Sequence, residues 1–468
     1  MIDRLAEIVG RSNVLTGNDA ARYGRDFTGQ YRAGPFAVVR PGSTGDVAAV
    51  LRLARDAGMP VVPIGGNTGL VGGTHAPDAL MLSLERMNTI REIRPEARIA
   101  VVEAGVVLAR LHEAAAEHGL AFPLFFGARG SAMIGGNLST NAGGSNVLRY
   151  GNTRALCLGL EVVLADGRVL NLMNALHKDN AGYDLKDLFI GAEGTLGVIT
   201  AAVLKLVPAP RAHATATLAT PSVDGALILL NRLQEATGGM VEAFEFMPGT
   251  YLDRLKAARP DIRPPLGYQQ EATILVELGA TAPRDAAPDA AGRVPLEELL
   301  ETTLAAMIEE GLALDAVVAR SGAERDRMWE MREVAAEITM GHGPHVDFDV
   351  AVPLDKVAAF LSRAGASLAE IDPAAETISV AHLGDGNIHF AVFPGDKSTH
   401  HQAIVKERID EITVALGGSF SAEHGIGLSK LATMAHHKDA VALDVMRAIK
   451  AALDPTGIMN PGKVLPAG

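Results

Sequence analysis

The first half of this chain alternates short apolar runs with capped polar segments. The runs Phe36–Val39 and Val61–Ile64 flank a segment that begins at Ser43 or Thr44 and ends at Gly58. Runs of this length are typical of strands, and a capped segment with a glycine at its end predicts a helix. We therefore expect a strand, a helix and a strand in this order.

Several further apolar runs before residue 210 predict additional elements. The strands are expected at Leu80–Leu84, Ile99–Ala104 and Ile199–Val207, and the helices near Leu108–His118 and just before Gly191. Two apolar runs also meet at Asp166-Gly167, a pair that favours a two-residue hairpin turn. Residues 1–34 begin with an amphipathic helical pattern of their own.

The second half, from about Arg211, contains fewer glycines and longer periodic segments. Strands are predicted at Glu242–Met247, Thr273–Leu278, Ala316–Ala319 and Val346–Val352, and helices at Pro295–Gly311 and Gly322–Met340. Alternation in the last strand places Asp347 and Asp349 on the face opposite its apolar residues. This half is expected to form an antiparallel sheet with helices on one side.

Two glycine-rich stretches interrupt the first half. The first glycine loop, Pro63–Gly73, follows a predicted strand, and the long glycine loop, Pro123–Gly151, has almost no charge. Gly, Ser, Thr and Asn let a backbone turn tightly and present its N–H groups to an anionic ligand. A third cluster, Gly191 to Gly197, precedes a strand. Three such clusters in one domain indicate one long ligand, and a dinucleotide fits.

Composition restricts the classes of function and the compartment. A length of 468 residues suggests two domains, and 48% hydrophobic with 21% charged residues is normal for a globular protein. A net charge of −13 and the lack of a Lys/Arg-rich run argue against a nucleic-acid partner. No apolar stretch is long enough for a membrane span, and the start does not resemble a signal peptide. Cys157 is the only cysteine, so we expect a cytoplasmic protein, with peripheral membrane contact still open.

A metal-binding pattern lies near the C-terminus, in HLGDGNIHF from His382 to Phe390. A type I′ turn at Asp385-Gly386 would place His382 directly opposite His389, with both imidazoles on one face. Two such histidines need only a carboxylate to hold a divalent ion.

A candidate for that carboxylate is Glu423, and His424 follows it. A site with three protein ligands leaves positions for water or substrate. The alternative for each histidine is an ordinary packed or hydrogen-bonded side chain.

The order of these motifs resembles the FAD-dependent D-2-hydroxy-acid dehydrogenases of the vanillyl-alcohol-oxidase-like, PCMH-type flavoprotein superfamily. The resemblance covers residues 35–468 and includes PIGGNTGLVGG, GARGSAMIGGNLSTNAGG, DLKDLFIGAEGTLGVIT, HLGDGNIH, AEHGIG and DPTGIMNPGKVL. It implies an α+β fold with a two-part FAD-binding domain and a substrate (cap) domain built on an antiparallel sheet. The implied division is 1–34, an N-terminal helical segment; 35–210, the FAD domain; 211–420, the cap; and 421–468, a segment returning to the FAD domain.

The resemblance also implies which residues bind FAD. They are Gly65, Gly66, Asn67, Thr68, Gly69, Gly130, Ser131, Gly135, Gly136, Thr140, Asn141, Gly143, Glu193, Gly194, Ile199 and Asn460. Some members tether the flavin through a histidine in the first glycine loop, which contains none here, so non-covalent FAD is expected.

The catalytic roles implied by the resemblance agree with the metal-binding pattern. A Zn or Mn ion on His382, His389 and Glu423 would bind the substrate's 2-hydroxyl, and His424 would accept its proton. The C2 hydride would pass to flavin N5. Arg332 would hold the 1-carboxylate, for which a planar guanidinium is well shaped; the alternative is an ordinary solvated helix arginine.

Three positions depart from the D-2-hydroxyglutarate branch of the family. That branch is expected to have threonine, lysine and asparagine where this chain has Ala336, Asp347 and Ala391. An aspartate in place of a lysine reverses the local charge, so a D-lactate-like monocarboxylate is favoured as substrate. D-2-hydroxyglutarate is the alternative.

Two other classes of function stay open. One is a metallohydrolase using His382, His389 and Glu423, and the other is a non-catalytic FAD-binding subunit. For the enzyme, the electron acceptor is a quinone, an electron-transfer flavoprotein or oxygen. A homodimer is the default assembly.

Overall fold

The computed structural model describes residues 1–467, and these form two compact units. The first unit comprises residues 1–143, 151–208 and 423–467, and the second comprises residues 144–150 and 209–422. The chain therefore leaves the first unit twice. No helix among the described residues is both long and apolar enough to cross a membrane.

The first unit contains a four-stranded sheet, a five-stranded sheet and a short strand pair. Its strands are β1 (Val14–Leu15), β2 (Ala37–Val39), β3 (Val61–Ile64), β4 (Leu80–Ser83), β5 (Ile90–Arg94), β6 (Ile99–Glu103), β7 (Leu120–Ala121), β8 (Cys157–Val163), β9 (Val169–Leu172), β10 (Val198–Lys205) and β11 (Val207–Pro208). The four-stranded sheet has the order β1-β2-β4-β3 and the five-stranded sheet the order β5-β6-β10-β8-β9. β7 pairs with β11.

The helices of the first unit connect these strands or follow them. They are α1 (Ile2–Val9), α2 (Thr44–Asp56), α3 (Leu108–Ala116), α4 (Ile134–Thr140), α6 (Lys186–Phe189), α15 (Leu431–His437) and α16 (Ala440–Leu453). The predicted strand-helix-strand opening is confirmed, since the Ser43 side chain caps α2 by accepting from the Asp46 N–H. β2 and β3 both pair with β4 in parallel.

The C-terminal segment is an integral part of the first unit. The Val61 N–H donates to the Ile458 carbonyl oxygen at 2.8 Å, and the Asn460 N–H donates to the Val61 carbonyl oxygen at 2.8 Å. The Lys450 ammonium bonds the Asp454 carboxylate and the Met459 carbonyl oxygen at 2.6 and 2.7 Å. The segment thus extends the edge of β3, directly before the first glycine loop.

Two local predictions in this unit are wrong. The β8–β9 hairpin forms, but Leu164 still bonds Arg168 across it, so the turn spans Ala165–Gly167 with Gly167 at φ 81°. This is the three-residue loop in which a glycine takes the left-handed position. The long glycine loop also contains helix α4, although it was expected to lack regular structure. Tertiary contacts here outweigh the low helix propensity of glycine.

The second unit is built on one seven-stranded antiparallel sheet with the order β15-β12-β14-β13-β17-β18-β16. Its strands are β12 (Ala212–Ala219), β13 (Val241–Pro248), β14 (Ala272–Ala280), β15 (Asp315–Val318), β16 (Val346–Ala351), β17 (Glu376–His382) and β18 (Asn387–Phe393). Its helices are α5 (Val147–Tyr150), α7 (Val223–Thr237), α8 (Gly249–Ala258), α9 (Pro283–Ala286), α10 (Pro295–Glu309), α11 (Gly322–Glu333), α12 (Ala335–His342), α13 (Val357–Ile371) and α14 (Thr399–Ala415).

Helices cover both faces of this sheet, which corrects the expectation of a single covered side. On one face, Phe244, Ile274 and Phe390 pack in a core with residues of α7, α10, α13 and α14. On the other, Leu275 and Val380 pack with residues of α8, α11 and α12. We call the second face the polar face, because it also carries the ionisable residues described below. The predicted helix Gly322–Met340 is divided at Val334 into α11 and α12.

Candidate functional site

The polar face of the second unit brings two predicted metal ligands together. His382 lies at the end of β17 and His389 in β18, with their ring centroids 5.4 Å apart and their planes at 82°. Both side chains are largely buried, with exposed fractions of 13% and 25%. The two imidazoles therefore lie close together on one face, and that they bind a metal ion stays a prediction.

The register that produces this pair differs from the predicted one. His382 pairs with Asn387, and His389 pairs with Val380, so the two histidines are diagonal neighbours instead of directly opposed. The turn spans residues 383–386, where the His382 carbonyl oxygen accepts from both the Asp385 and the Gly386 N–H. Because the shift is an even number of residues, the histidines stay on the same face.

A buried carboxylate, Glu245, connects His382 to Arg332. Glu245 Oε1 lies 2.8 Å from His382 Nδ1, and its Oε2 accepts from Arg332 Nε at 2.9 Å. Burial raises the pKa of Glu245, but the charges of His382 and Arg332 outweigh burial and hold that pKa below its ordinary value. Glu245 was not among the residues predicted from the sequence. A signal for it was present, because a glutamate inside the apolar strand VEAFEFMP would be buried, and a buried charge requires partners.

Arg332 lies in the last turn of α11 and is 11% exposed. Its Nε is bonded to Glu245, whereas its Nη2 is buried and has no hydrogen-bond partner among the described residues. A buried guanidinium nitrogen without a partner is costly unless a ligand supplies one. Arg332 thus has one buried donor with no acceptor among the described residues, and its role in binding a substrate carboxylate stays a prediction.

His389 also has a buried carboxylate beside it, Asp349 of β16, the strand that pairs with β18 on the edge opposite β17. It pairs with His389 across β16 and β18, is buried, and has an oxygen 4.0 Å from His389 Nδ1. Its Oδ1 also accepts from Asn387 Nδ2 at 3.0 Å. Asp347 and Asp349 lie on the face opposite Phe348 and Val350, as predicted, but in β16 only Asp347 is exposed and Asp349 is buried.

The other predicted chemical residues, Glu423 and His424, belong to the first unit. The residue before them, Ala422, ends the second unit and donates its N–H to the Asp349 carbonyl oxygen at 3.1 Å. After them, the N–H groups of Ile426 and Gly427 donate to the Glu193 carboxylate at 2.7 and 2.9 Å. That Glu423 and His424 act with the imidazole pair stays a prediction.

Glu193 was expected to line the flavin, and the structure places its side chain against the chain that follows His424. Burial is the main cause of its raised pKa, and the two backbone N–H donors oppose that shift. Its carbonyl oxygen accepts from Asn460 Nδ2 at 2.7 Å. Glu193 therefore bonds two C-terminal segments of the first unit, one at Ile426 and Gly427 and the other at Asn460.

The two glycine loops of the first unit contact each other directly. A Cβ at Gly66 would lie 2.0 Å from the Ser131 carbonyl oxygen, and one at Gly135 would lie 2.7 Å from the Ala104 Cβ. In contrast, a Cβ at Gly69, Gly130 or Gly136 would meet no heavy atom within 4 Å. Some of these glycines thus allow close packing of loops, and others leave room beside the backbone for a ligand.

Unusual backbone geometry is concentrated among the residues predicted to bind FAD. Asn67, Asn141, Glu193 and Asn460 all have positive φ, between 38° and 55°. Non-glycine residues in this region are strained, and such strain is characteristic of ligand-binding sites. The Oδ1 of Asn460 is buried without a hydrogen-bond partner among residues 1–467. These observations fit a large ligand bound along the backbone.

The remaining predicted FAD residues are all in the first unit. Thr140 ends α4 and donates to the Gly136 carbonyl oxygen, and Ile199 is buried in β10 opposite Val162. Loops hold the others, Gly65, Thr68, Gly143 and Gly194. None of these positions is shown to touch a flavin, so their roles stay predictions.

Comparison with known proteins agrees with this geometry. Residues 35–173 match the family model described as FAD binding domain, and residues 209–464 match FAD linked oxidases, C-terminal domain. A D-2-hydroxyglutarate dehydrogenase of Xanthomonas citri pv. viticola is 37% identical, with coverage of 95% of this chain and 92% of that protein. One from Stutzerimonas stutzeri is 35% identical and covers 100% and 99%.

Solved structures support the same fold. A 4-ethylphenol oxidase from Gulosibacter chungangensis has a TM-score of 0.73 at 19% identity, with coverage of 99% of this chain and 97% of that one. p-Cresol methylhydroxylase with bound substrate also has a TM-score of 0.73, at 17% identity and coverage of 99% and 95%. The two-part PCMH-type fold predicted from the motifs is confirmed.

Proposed function

This chain belongs to the family of FAD linked oxidases, and from that premise we propose that it oxidises a D-2-hydroxy acid to the corresponding 2-oxo acid. Bacterial relatives named D-2-hydroxyglutarate dehydrogenase support this reaction, because their similarity to this chain extends over almost the full length of both proteins. The observation that carries the proposal is the buried Nη2 of Arg332, which has no hydrogen-bond partner among the described residues. Arg332 lies in helix α11, which packs on the polar face that also carries the two imidazoles.

FAD is the cofactor of this proposal, held without a covalent bond. The first glycine loop has no histidine to form such a bond. The open positions at Gly69, Gly130 and Gly136, together with the strained Asn67 and Asn460, would accommodate its pyrophosphate and ring system. When bound, FAD supplies the two-electron acceptor of the reaction.

Arg332 binds the 1-carboxylate in this proposal. Glu245 occupies Nε, so the guanidinium offers its outer edge to the substrate. Charge-assisted bonds from a guanidinium to a carboxylate are short and directional. Arg332 therefore fixes the orientation of the substrate and of the hydrogen on its C2.

A divalent metal, Zn or Mn, would be held by His382, His389 and Glu423. Support comes from the 5.4 Å ring separation and from Ala422, whose N–H bonds the carbonyl oxygen of Asp349 opposite His389. Glu423 is the next residue in the chain. When bound, such an ion supplies Lewis acidity toward the 2-hydroxyl of the substrate.

His424 is the proposed general base that accepts the hydroxyl proton. A base must be held within hydrogen-bond reach of the proton it removes. The carboxylate of Glu193 fixes the backbone at Ile426 and Gly427, two and three residues after His424, and so restricts the movement of this loop.

Two candidate substrates, D-2-hydroxyglutarate and D-lactate, differ in their side chains. The names of the relatives favour D-2-hydroxyglutarate. Asp347 favours a monocarboxylate such as D-lactate, because it is exposed, pairs with Ala391 and shares the face of His389. A distal carboxylate would meet a like charge there. A quinone or an electron-transfer flavoprotein is the proposed electron acceptor.

Steady-state turnover with an artificial electron acceptor tests the proposal. We expect activity with a D-2-hydroxy acid, loss of activity after removal of metal with a chelator, and recovery with Zn²⁺ or Mn²⁺. The ratio of kcat/KM for D-lactate to that for D-2-hydroxyglutarate then identifies the side chain. His424→Ala should retain FAD and lose turnover; retention of turnover would contradict its role as the base.

A further inference from the structure

The buried carboxylate of Glu245 contacts two residues of the proposed site, His382 with one oxygen and Arg332 with the other. We propose that Glu245 is a positioning residue that fixes the tautomer of His382 and the orientation of Arg332 together, an inference that rests on the proposed function. Glu245 is 1% exposed, and the two contacts, at 2.8 Å to His382 and 2.9 Å to Arg332, use different oxygens.

The first effect concerns the proton of His382. An ionised carboxylate can only accept hydrogen bonds, so the ring nitrogen that faces Glu245 carries the hydrogen. In a neutral imidazole the lone pair then lies on Nε2, the atom that would ligate a metal. A carboxylate behind a ligating histidine fixes the ring and raises its basicity, and its loss typically lowers metal affinity by about 10- to 100-fold.

The second effect concerns the edge of Arg332 that can bind substrate. Nε donates to Glu245, which leaves the Nη1–Nη2 edge for a carboxylate. Nη2 is buried without a partner within residues 1–467. The substrate is therefore bound end-on, and rotation of the guanidinium would break its bond to Glu245.

The chain contains a matched control for Glu245. Glu277 lies on the same face, in the adjacent strand β14, and is 5% exposed. It too is bonded to an arginine of α11, with Arg325 Nε and Nη2 at 2.6 and 2.7 Å. Glu277 has no contact with His382 or His389 among the hydrogen bonds described. Glu277→Gln therefore changes a buried carboxylate of the same kind without changing either proposed effect.

The experiment compares Glu245→Gln with Glu277→Gln. The new amide can accept from Arg332 with its oxygen only by directing its NH₂ group at His382 Nδ1, which moves the ring hydrogen to Nε2. We expect Zn²⁺ affinity, measured by titration against a competing chelator, to fall by about 10- to 100-fold in Glu245→Gln. It should stay within about twofold of the wild type in Glu277→Gln, on the same principle.

Histidine ¹⁵N NMR of the metal-free protein provides a readout that a merely structural role would not change. The wild type and Glu277→Gln should show His382 with its hydrogen on Nδ1, and Glu245→Gln should show it on Nε2. Unchanged affinity and tautomer in Glu245→Gln, or an equal loss of affinity in Glu277→Gln, would overturn the proposal.

Two further outcomes are informative. If Glu245→Gln does not fold, the wild-type spectrum alone decides, because an Nε2-protonated His382 would overturn the proposal. Failure of the proposed function would appear separately, as absence of turnover with every D-2-hydroxy acid in the wild type, whereas the tautomer still reports on Glu245.

Discussion

Helix α11 makes two arginine–glutamate pairs with the same sheet face. We expect one pair to contribute mainly to stability and the other mainly to substrate binding. Arg325 and Arg332 are seven residues apart, about two helical turns, so both face the sheet. Arg325 bonds Glu277 with two nitrogens, whereas Arg332 bonds Glu245 with one.

The surroundings of the two glutamates explain this difference. Glu277 also accepts from Thr215 Oγ1 at 2.6 Å and Trp329 Nε1 at 2.8 Å, so its hydrogen-bonding capacity is used within the protein. Glu245 instead contacts His382, and Arg332 keeps a buried nitrogen without a partner among the described residues. A buried charge whose hydrogen bonds are all made within the protein helps to specify the folded structure. A buried charged group with an unused donor is explained when a ligand supplies the missing acceptor.

The largest expected effect is from Arg332→Met compared with Arg325→Met. Loss of two charge-assisted bonds to the substrate should lower kcat/KM by about 100-fold or more for Arg332→Met. Arg325→Met should change kcat/KM by less than about fivefold, since it contacts no substrate in this account. Steady-state kinetics with FAD-saturated protein measures both. An equal loss in the two variants would remove the functional distinction between the pairs.

The same contrast between filled and open surroundings recurs at two glycines of the first unit. Gly66→Ala places a methyl group against the Ser131 carbonyl oxygen and should cost about 1–3 kcal/mol or more of unfolding free energy without ligand. Gly69→Ala meets no atom within 4 Å, so it should keep the stability of the apoprotein and weaken FAD binding. Thermal unfolding and FAD titration separate these effects. Unchanged FAD affinity in Gly69→Ala would argue against a ligand at that position.

A smaller effect on stability is expected from Glu277→Gln. The substitution removes the carboxylate that lies 2.6 Å from Arg325 Nε, and because the Arg325 side chain is 34% exposed, water compensates in part. We expect a loss of about 1–2 kcal/mol in unfolding free energy, with FAD content unchanged. Urea unfolding followed by circular dichroism measures it. Stability equal to the wild type would show that this pair contributes little.

The smallest effect concerns pH and Glu242, whose carboxylate accepts from Arg149 Nη1 at 2.9 Å and Tyr150 Oη at 2.6 Å. Burial raises the pKa of Glu242, but His213, Tyr150 and Arg149 outweigh burial, so this pKa is lowered. A lowered folded-state pKa adds stability above the ordinary carboxyl pKa and loses it as pH falls through the folded value.

Glu242→Gln should therefore be less stable than the wild type at neutral pH, with a difference that narrows as the solution is acidified. Unfolding free energies at a series of pH values test this. A difference that is constant with pH would show that ionisation of Glu242 does not contribute.

The sequence predicted most elements, because apolar periodicity determines which side of a strand is buried. The predicted hairpin also placed His382 and His389 on one face, and this holds because the observed register differs from the predicted one by an even number of residues. It did not predict the register of their hairpin. That depends on the His382 carbonyl oxygen accepting two loop N–H groups, which no residue type in the turn specifies. Helix α4 was missed because tertiary packing overrides the composition of Ile134–Thr140.

Glu245 was also beyond prediction from the sequence. It is 137 residues from His382 and 87 from Arg332. The pairing of β13 with β17 brings His382 to Glu245, and the packing of helix α11 on the same sheet face brings Arg332. A single sequence indicates that a buried glutamate needs partners, but not which ones. The same limitation applies to Glu193, which contacts residues more than 200 positions later.

Anaerobic absorbance spectroscopy of the FAD-loaded protein shows whether a D-2-hydroxy acid reduces the flavin. We expect D-lactate or D-2-hydroxyglutarate to bleach the flavin spectrum and the matching L-enantiomer to leave it unchanged. We also expect Arg332→Met to bleach far more slowly with its FAD content unchanged. A flavin that stays oxidised with every D-2-hydroxy acid, in protein loaded with FAD and Zn²⁺ or Mn²⁺, would rule out the proposed oxidation.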